Sequence, residues 1–145
     1  MKTEFASYLG SLSATDQVMG RVELILNFYK TVCPEDILDI FISETIKGDG
    51  NREYLSLWLF SKKYAMEAKN FLIQDDFDIM PINKLISYCG VQKTGYDLDS
   101  TSEGSRLFVK ISVTHLLTGE LRASKANCNF LKQIMLKYFL PNFRA

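Results

Sequence analysis

Residues Tyr54–Met66, reading Tyr-Leu-Ser-Leu-Trp-Leu-Phe-Ser-Lys-Lys-Tyr-Ala-Met, decide how this chain folds. Leu55, Leu57 and Leu59 alternate with Tyr54, Ser56, Trp58 and Phe60, the period of two that a β-strand imposes on its side chains. Ser61-Lys62-Lys63 interrupts the apolar run and Tyr64-Ala65-Met66 resumes it, so the stretch reads as strand, tight polar turn and return strand.

Outward from this hairpin the same period recurs. Ile37–Ile46 alternates, with Leu38, Ile40 and Ile42 on one face and Asp39, Phe41, Ser43 and Thr45 on the other. Lys47-Gly48-Asp49-Gly50-Asn51 separates it from the central hairpin, with two glycines suited to a turn. Tyr64–Lys69 is the third strand. Phe77–Ile82 follows as a short one, with Pro81 confining it to an edge or an end. Leu85–Thr94 is interrupted by Gly90, and Gly95–Ser105 has the composition of a surface loop. Arg106–Thr114 alternates most regularly, and Thr118-Gly119 is read as the turn into a last strand, Glu120–Ala123.

Helical spacing appears at both ends. Val18, Val22, Ile25, Leu26 and Tyr29 recur every three or four residues, with Arg21, Glu23, Asn27 and Lys30 opposite. Ser13 is the expected N-cap, Pro34 the stop, and residues up to about Leu12 carry few ordering signals. Phe130, Leu131, Ile134, Met135 and Tyr138 form the stripe of a final helix, which Ser124 or Asn127 can cap.

The order is one helix, seven strands and one helix within 145 residues, a length that fits a single core. Lys+Arg and Asp+Glu number 17 each, so no overall field draws in nucleic acid or anionic lipid. Three widely spaced cysteines argue for reduced thiols rather than a disulfide framework. The N-terminus lacks the apolar core of a signal peptide, and no stretch approaches the ~20 apolar residues of a membrane span. The expectation is a soluble, cytoplasmic protein.

Seven strands in series closed by a C-terminal helix resemble a pleckstrin-homology-like domain. The wording of Leu59–Tyr64, of Ile79-Met80-Pro81-Ile82-Asn83-Lys84-Leu85-Ile86 and of the terminal hairpin and helix is similar to that of small bacterial pleckstrin-homology-like and GRAM-type proteins. The resemblance spans about Asp36 to Leu140. It implies an α+β, mostly β fold: a seven-stranded antiparallel sandwich or barrel with a C-terminal capping helix. Residues 1–35 would then be an added N-terminal helix, packed on the domain or on a partner, and 36–145 the domain itself.

Candidate chemistry is sparse. His115 is the only histidine, too few for a histidine-based metal site, and the cysteines lack Cys-x-x-Cys spacing. Asp97–Phe108 begins like a calcium loop, but Ser102 stands where glycine is needed and Phe108 where the bidentate glutamate is needed. Asp75, Asp76 and Asp78 read as a solvated acidic turn. No metal site, cofactor or catalytic group is expected.

Two surfaces remain. Lys47 and Arg52 in the turn at 47–52, with Lys62 and Lys63 in the turn at 61–63, are the anion or phospholipid candidates. Glu44, Asp49 and Glu53 dilute them. Phe41, Tyr54, Trp58, Phe60 and Phe108 share the parity opposite the leucines and form a candidate interface. Either the N-terminal helix covers these aromatics or a partner or second copy does. The expected function is a non-catalytic interaction or assembly module without nucleic acid; the alternative is a peripheral phospholipid- or small-ligand-binding domain.

Overall fold

Backbone pairing in the computed structural model follows the alternation. The structure describes residues 1–46, 51–82, 88–94, 106–113 and 117–142, the backbone alone over most of 88–119. Among the described residues the fold is mixed, with three α-helices and a four-stranded antiparallel sheet. The sheet runs in sequence order through β1 (Asp39–Ile46), β2 (Arg52–Phe60), β3 (Tyr64–Lys69) and β4 (Asp78–Pro81). A second antiparallel ladder joins β5 (Tyr88–Thr94), β6 (Arg106–Val113) and β7 (Leu117–Ala123). Thr118-Gly119, expected at a turn, pairs with Ser112 and Ile111 inside β7.

The register keeps the two faces that parity assigns and changes only which of them is open to water. Phe41, Trp58, Glu67 and Asp78 form one row across the sheet, and Asp39, Phe60, Ala65 and Met80 another on the same face. Ile40, Leu59, Met66 and Ile79, with Ile42, Leu57 and Ala68, line the opposite face. Both faces are covered, so alternation of side chains does not become alternation of burial. Leu38, expected in the core, lies ahead of β1 and is exposed. A register slip between Ser43 and Glu44 leaves Leu55 without an opposite residue, a bulge that bends the first hairpin.

The C-terminal helix α3 (Cys128–Ile134), prolonged by a wider π-helical turn at Met135–Phe139, covers the first face. The Tyr138 ring stacks on Phe60 at 4.6 Å, and Phe139 meets Phe60 edge-on at 5.9 Å. The Tyr138 hydroxyl and Lys137 Nζ both donate to Asp39 Oδ2, fixing the helix over β1.

α2 (Asp16–Val32) buries the predicted stripe of Val18, Val22, Ile25, Leu26 and Tyr29 in the same core as Ile42, Leu57 and Leu59. Arg21 pins it to the β3–β4 connection, donating from Nε to the Phe71 carbonyl at 2.7 Å and from a terminal nitrogen to that of Gln74 at 2.8 Å.

α1 (Thr3–Ser11) was not expected. Phe5, Tyr8, Leu9 and Leu12 are nonetheless spaced as a helix face and are buried. Ser13 is not the N-cap of α2. Its φ of 54° makes it the left-handed residue ending α1, with Ala14 N–H returning to the Leu9 carbonyl at 3.0 Å. Thr15 is the cap, its side chain accepting from Val18 N–H.

Candidate interaction surface

Three of the expected interface residues, Phe41, Trp58 and Phe60, are fully buried. Trp58 and Phe60 stack at 6.1 Å, Phe41 lies 6.5 Å from Tyr8 of α1, and Phe60 is under Tyr138. Cover at Phe41 comes from α1 and at Phe60 from the C-terminal helix, and the expected stripe of α2 belongs to the same core as all three aromatics. Tyr54 is half-buried, edge-on to Phe71 at 6.2 Å. Phe108 pairs with Gln92 and Arg122 in β6, its side chain lying outside the described residues. Among the described ones, this aromatic set presents no common outer face.

Nor do the basic candidates come together. β2 runs from Arg52 to Phe60, so Arg52 and the turn at Lys62 and Lys63 lie at opposite ends of the strand, ~26 Å apart at the rise of an extended chain. Consecutive turns of an antiparallel meander necessarily alternate ends. Arg52 turns inward, donating to the Leu12 carbonyl and lying 3.1 Å from Glu44 Oε2. Lys63 stands 3.7 Å from Glu35, and Lys62 is exposed. Lys47 lies outside the described residues, as do His115 and the acidic loop from Asp97.

Burial shifts several ionisable groups, and each has neighbours within the fold. Glu44 is buried, accepts from the Ser124 hydroxyl and faces Arg52; burial raises its carboxyl above the ordinary range, while Ser124 and Arg52 oppose the shift. Glu67 is also raised, chiefly by burial, against Lys69 at 3.9 Å and the Ser56 hydroxyl at 3.3 Å. Desolvation raises the Tyr8 hydroxyl as well, which keeps it neutral and able to donate. Asp75 pairs with Arg21 at 2.7 Å. Cys33 and Cys128 are buried free thiols, and Cys33 Sγ accepts from the Tyr29 hydroxyl at 3.1 Å.

The exposed apolar surface lies elsewhere. Leu24, Phe28 and Val32 are 49, 47 and 53% exposed at four-residue spacing on the outer side of α2. Phe77 meets Phe28 edge-on at 5.4 Å, and in the β3–β4 connection Ile73 is 81% exposed. Leu24, Ile25, Phe28 and Asp75 line a shallow groove of about 280 Å³. The signal was in the sequence: α2 carries apolar residues outside its buried stripe, which a helix with one covered side does not need. The polar residues Arg21, Glu23, Asn27 and Lys30 masked it.

No helix among the described residues is long and apolar enough to cross a membrane. No protein-family model, curated protein or solved structure matches this chain.

Proposed function

We propose that this chain is a non-catalytic interaction module of pleckstrin-homology-like architecture, whose contact surface is the outer side of α2 and not the aromatic rows of the sheet. The architectural part is supported by the order of the two ladders, β1 to β4 then β5 to β7, followed by a helix stacked on Phe60. Closure of the two ladders into a seven-stranded sandwich completes the reading.

The observation that carries the function is the apolar row Leu24, Phe28 and Val32, half exposed on a helix whose opposite side is committed to the core. Apolar residues lined up on one helix side, with Phe77 against Phe28, make a patch of the sort that proteins cover with other proteins. The buried carboxylates support the non-catalytic part: Glu44 and Glu67 are occupied with Ser124 and Arg52, and with Ser56 and Lys69.

Phe28→Glu tests the assignment, because it adds charge to the patch without opening the core. Expected is loss of a protein complex, with itself or with another protein, as read by light scattering and by affinity capture of the full chain. Equal complexes for wild type and variant, at unchanged circular dichroism, would remove the outer side of α2 from the function.

A further inference from the structure

We infer that the cavity between α1 and α2 binds a short apolar peptide, about three residues long, with both ends free. The site is separate from the exposed row on α2 and does not rest on the interaction-module reading. The start of the chain and α1 wall the cavity on one side, α2 on the other, and residues 33–37 close it. Phe5, Leu26, Cys33 and Ile37 line it and are buried, so they form an apolar floor. Glu23, Asn27 and Lys30 line it and are exposed, so they form a polar rim. The volume is about 300 Å³, the lower end of the range for small-ligand sites, which limits an occupant to a few residues.

The polar groups of the cavity divide into engaged and unengaged. Lys2 donates to Asp36 at 2.8 Å and to the Ile37 carbonyl at 2.6 Å, and Glu35 lies 3.7 Å from Lys63. The side chains of Glu23, Asn27 and Lys30 have no such partner among the described residues. Along α2 they follow in the order carboxylate, amide, ammonium, about 6 Å and then about 4.5 Å apart. An extended tripeptide carries the complementary series of amine, peptide group and carboxylate, spanning about 10 Å. Its amine faces Glu23 and its carboxylate faces Lys30. A central peptide group meets Asn27, whose amide can both donate and accept. One apolar side chain then turns to the floor of Phe5 and Leu26. A purely anionic ligand would set its charge against Glu23, Glu35 and Asp36, and a purely cationic one against Lys2 and Lys30. Only a ligand with opposite charges at its two ends uses the whole rim.

The experiment is titration calorimetry of the full chain with the tripeptide Ala-Leu-Ala, with its N-acetylated form and with its C-amidated form. Expected is saturable one-to-one binding of the free peptide, weakened about tenfold by blocking either end. Glu23→Gln should weaken the free and the amidated peptides about tenfold and leave the acetylated one unchanged, because that form has no amine to pair. Lys30→Gln should weaken the free and the acetylated peptides about tenfold and leave the amidated one unchanged. Both side chains are exposed, so neither substitution opens the core, and circular dichroism checks the fold of each variant. Absence of saturable binding of the free peptide overturns the inference. Binding that ignores the blocked ends, or end effects that do not follow their own variant, overturns the capture of the peptide between Glu23 and Lys30.

Discussion

The Tyr8 hydroxyl donates to Asn127 Oδ1 at 2.8 Å, joining the first helix to the entry of the last across 119 residues. The same hydroxyl accepts from Ile42 N–H at 2.8 Å, and Asn127 Nδ2 donates to the Ile42 carbonyl at 2.6 Å. β1 has β2 on one side only within its sheet, so its other backbone edge would present unpaired groups. Tyr8 and Asn127 close that edge at Ile42 with a ring of three hydrogen bonds. Tyr8→Phe keeps the ring contact with Phe41 but leaves Ile42 N–H without its acceptor and Asn127 without its donor. We expect a loss of about 2–3 kcal/mol in urea denaturation. A cost under ~0.5 kcal/mol would mean that water replaces the hydroxyl.

Glu44 predicts a pH dependence with a definite sign. Burial raises its folded-state value above that of the unfolded chain. Between the two values the folded protein holds a proton that the unfolded chain has released. Its contribution to stability therefore falls as pH rises from the ordinary carboxylate range through the raised value. Glu44→Gln resembles the protonated form. Relative to wild type it should become progressively more stable across that window and level off above it. Denaturation curves at several pH values read the difference directly; a gap that does not change with pH would contradict the prediction.

Phe139 and Leu136 separate the two sides of the C-terminal helix. Phe139 is 1% exposed and edge-on to Phe60, while Leu136 is 66% exposed. Phe139→Ala should cost about 3–5 kcal/mol as transfer and cavity terms add. Leu136→Ala should stay within about 0.5 kcal/mol. Similar costs for both would show that the helix is not seated through Phe60.

Arg21 anchors α2 by geometry more than by charge. Its bonds to the Phe71 and Gln74 carbonyls use the fork of the guanidinium, whereas its ionic partner Asp75 is largely exposed. Asp75→Asn should change stability by less than about 0.5 kcal/mol. Arg21→Lys keeps the charge and loses the fork, and should cost about 1–2 kcal/mol. Thermal unfolding of the two variants in parallel decides it, and rescue by lysine would make the anchor purely electrostatic.

Much of the fold can be read from local order. The β2–β3 hairpin, the buried stripe of α2 and the apolar residues of the last helix follow from period and turn chemistry. α1 escaped because it is short and Lys2 provides no side-chain cap, which leaves tertiary contact to stabilise it. The exposed row on α2 was legible as apolar residues in excess of one stripe; its freedom from cover was not.

In Tyr54–Met66, sequence alone determined the strand, the Ser61–Lys63 turn and the return strand, because side-chain period and turn propensity act over neighbouring residues. Tertiary structure decided what each face meets. Period two states that Leu57 and Trp58 point in opposite directions, and both are fully buried because a sheet covered on both sides offers neither face to water. Which helix covers which face depends on contacts between residues more than a hundred positions apart, such as Tyr8 with Asn127. No local pattern encodes such a contact.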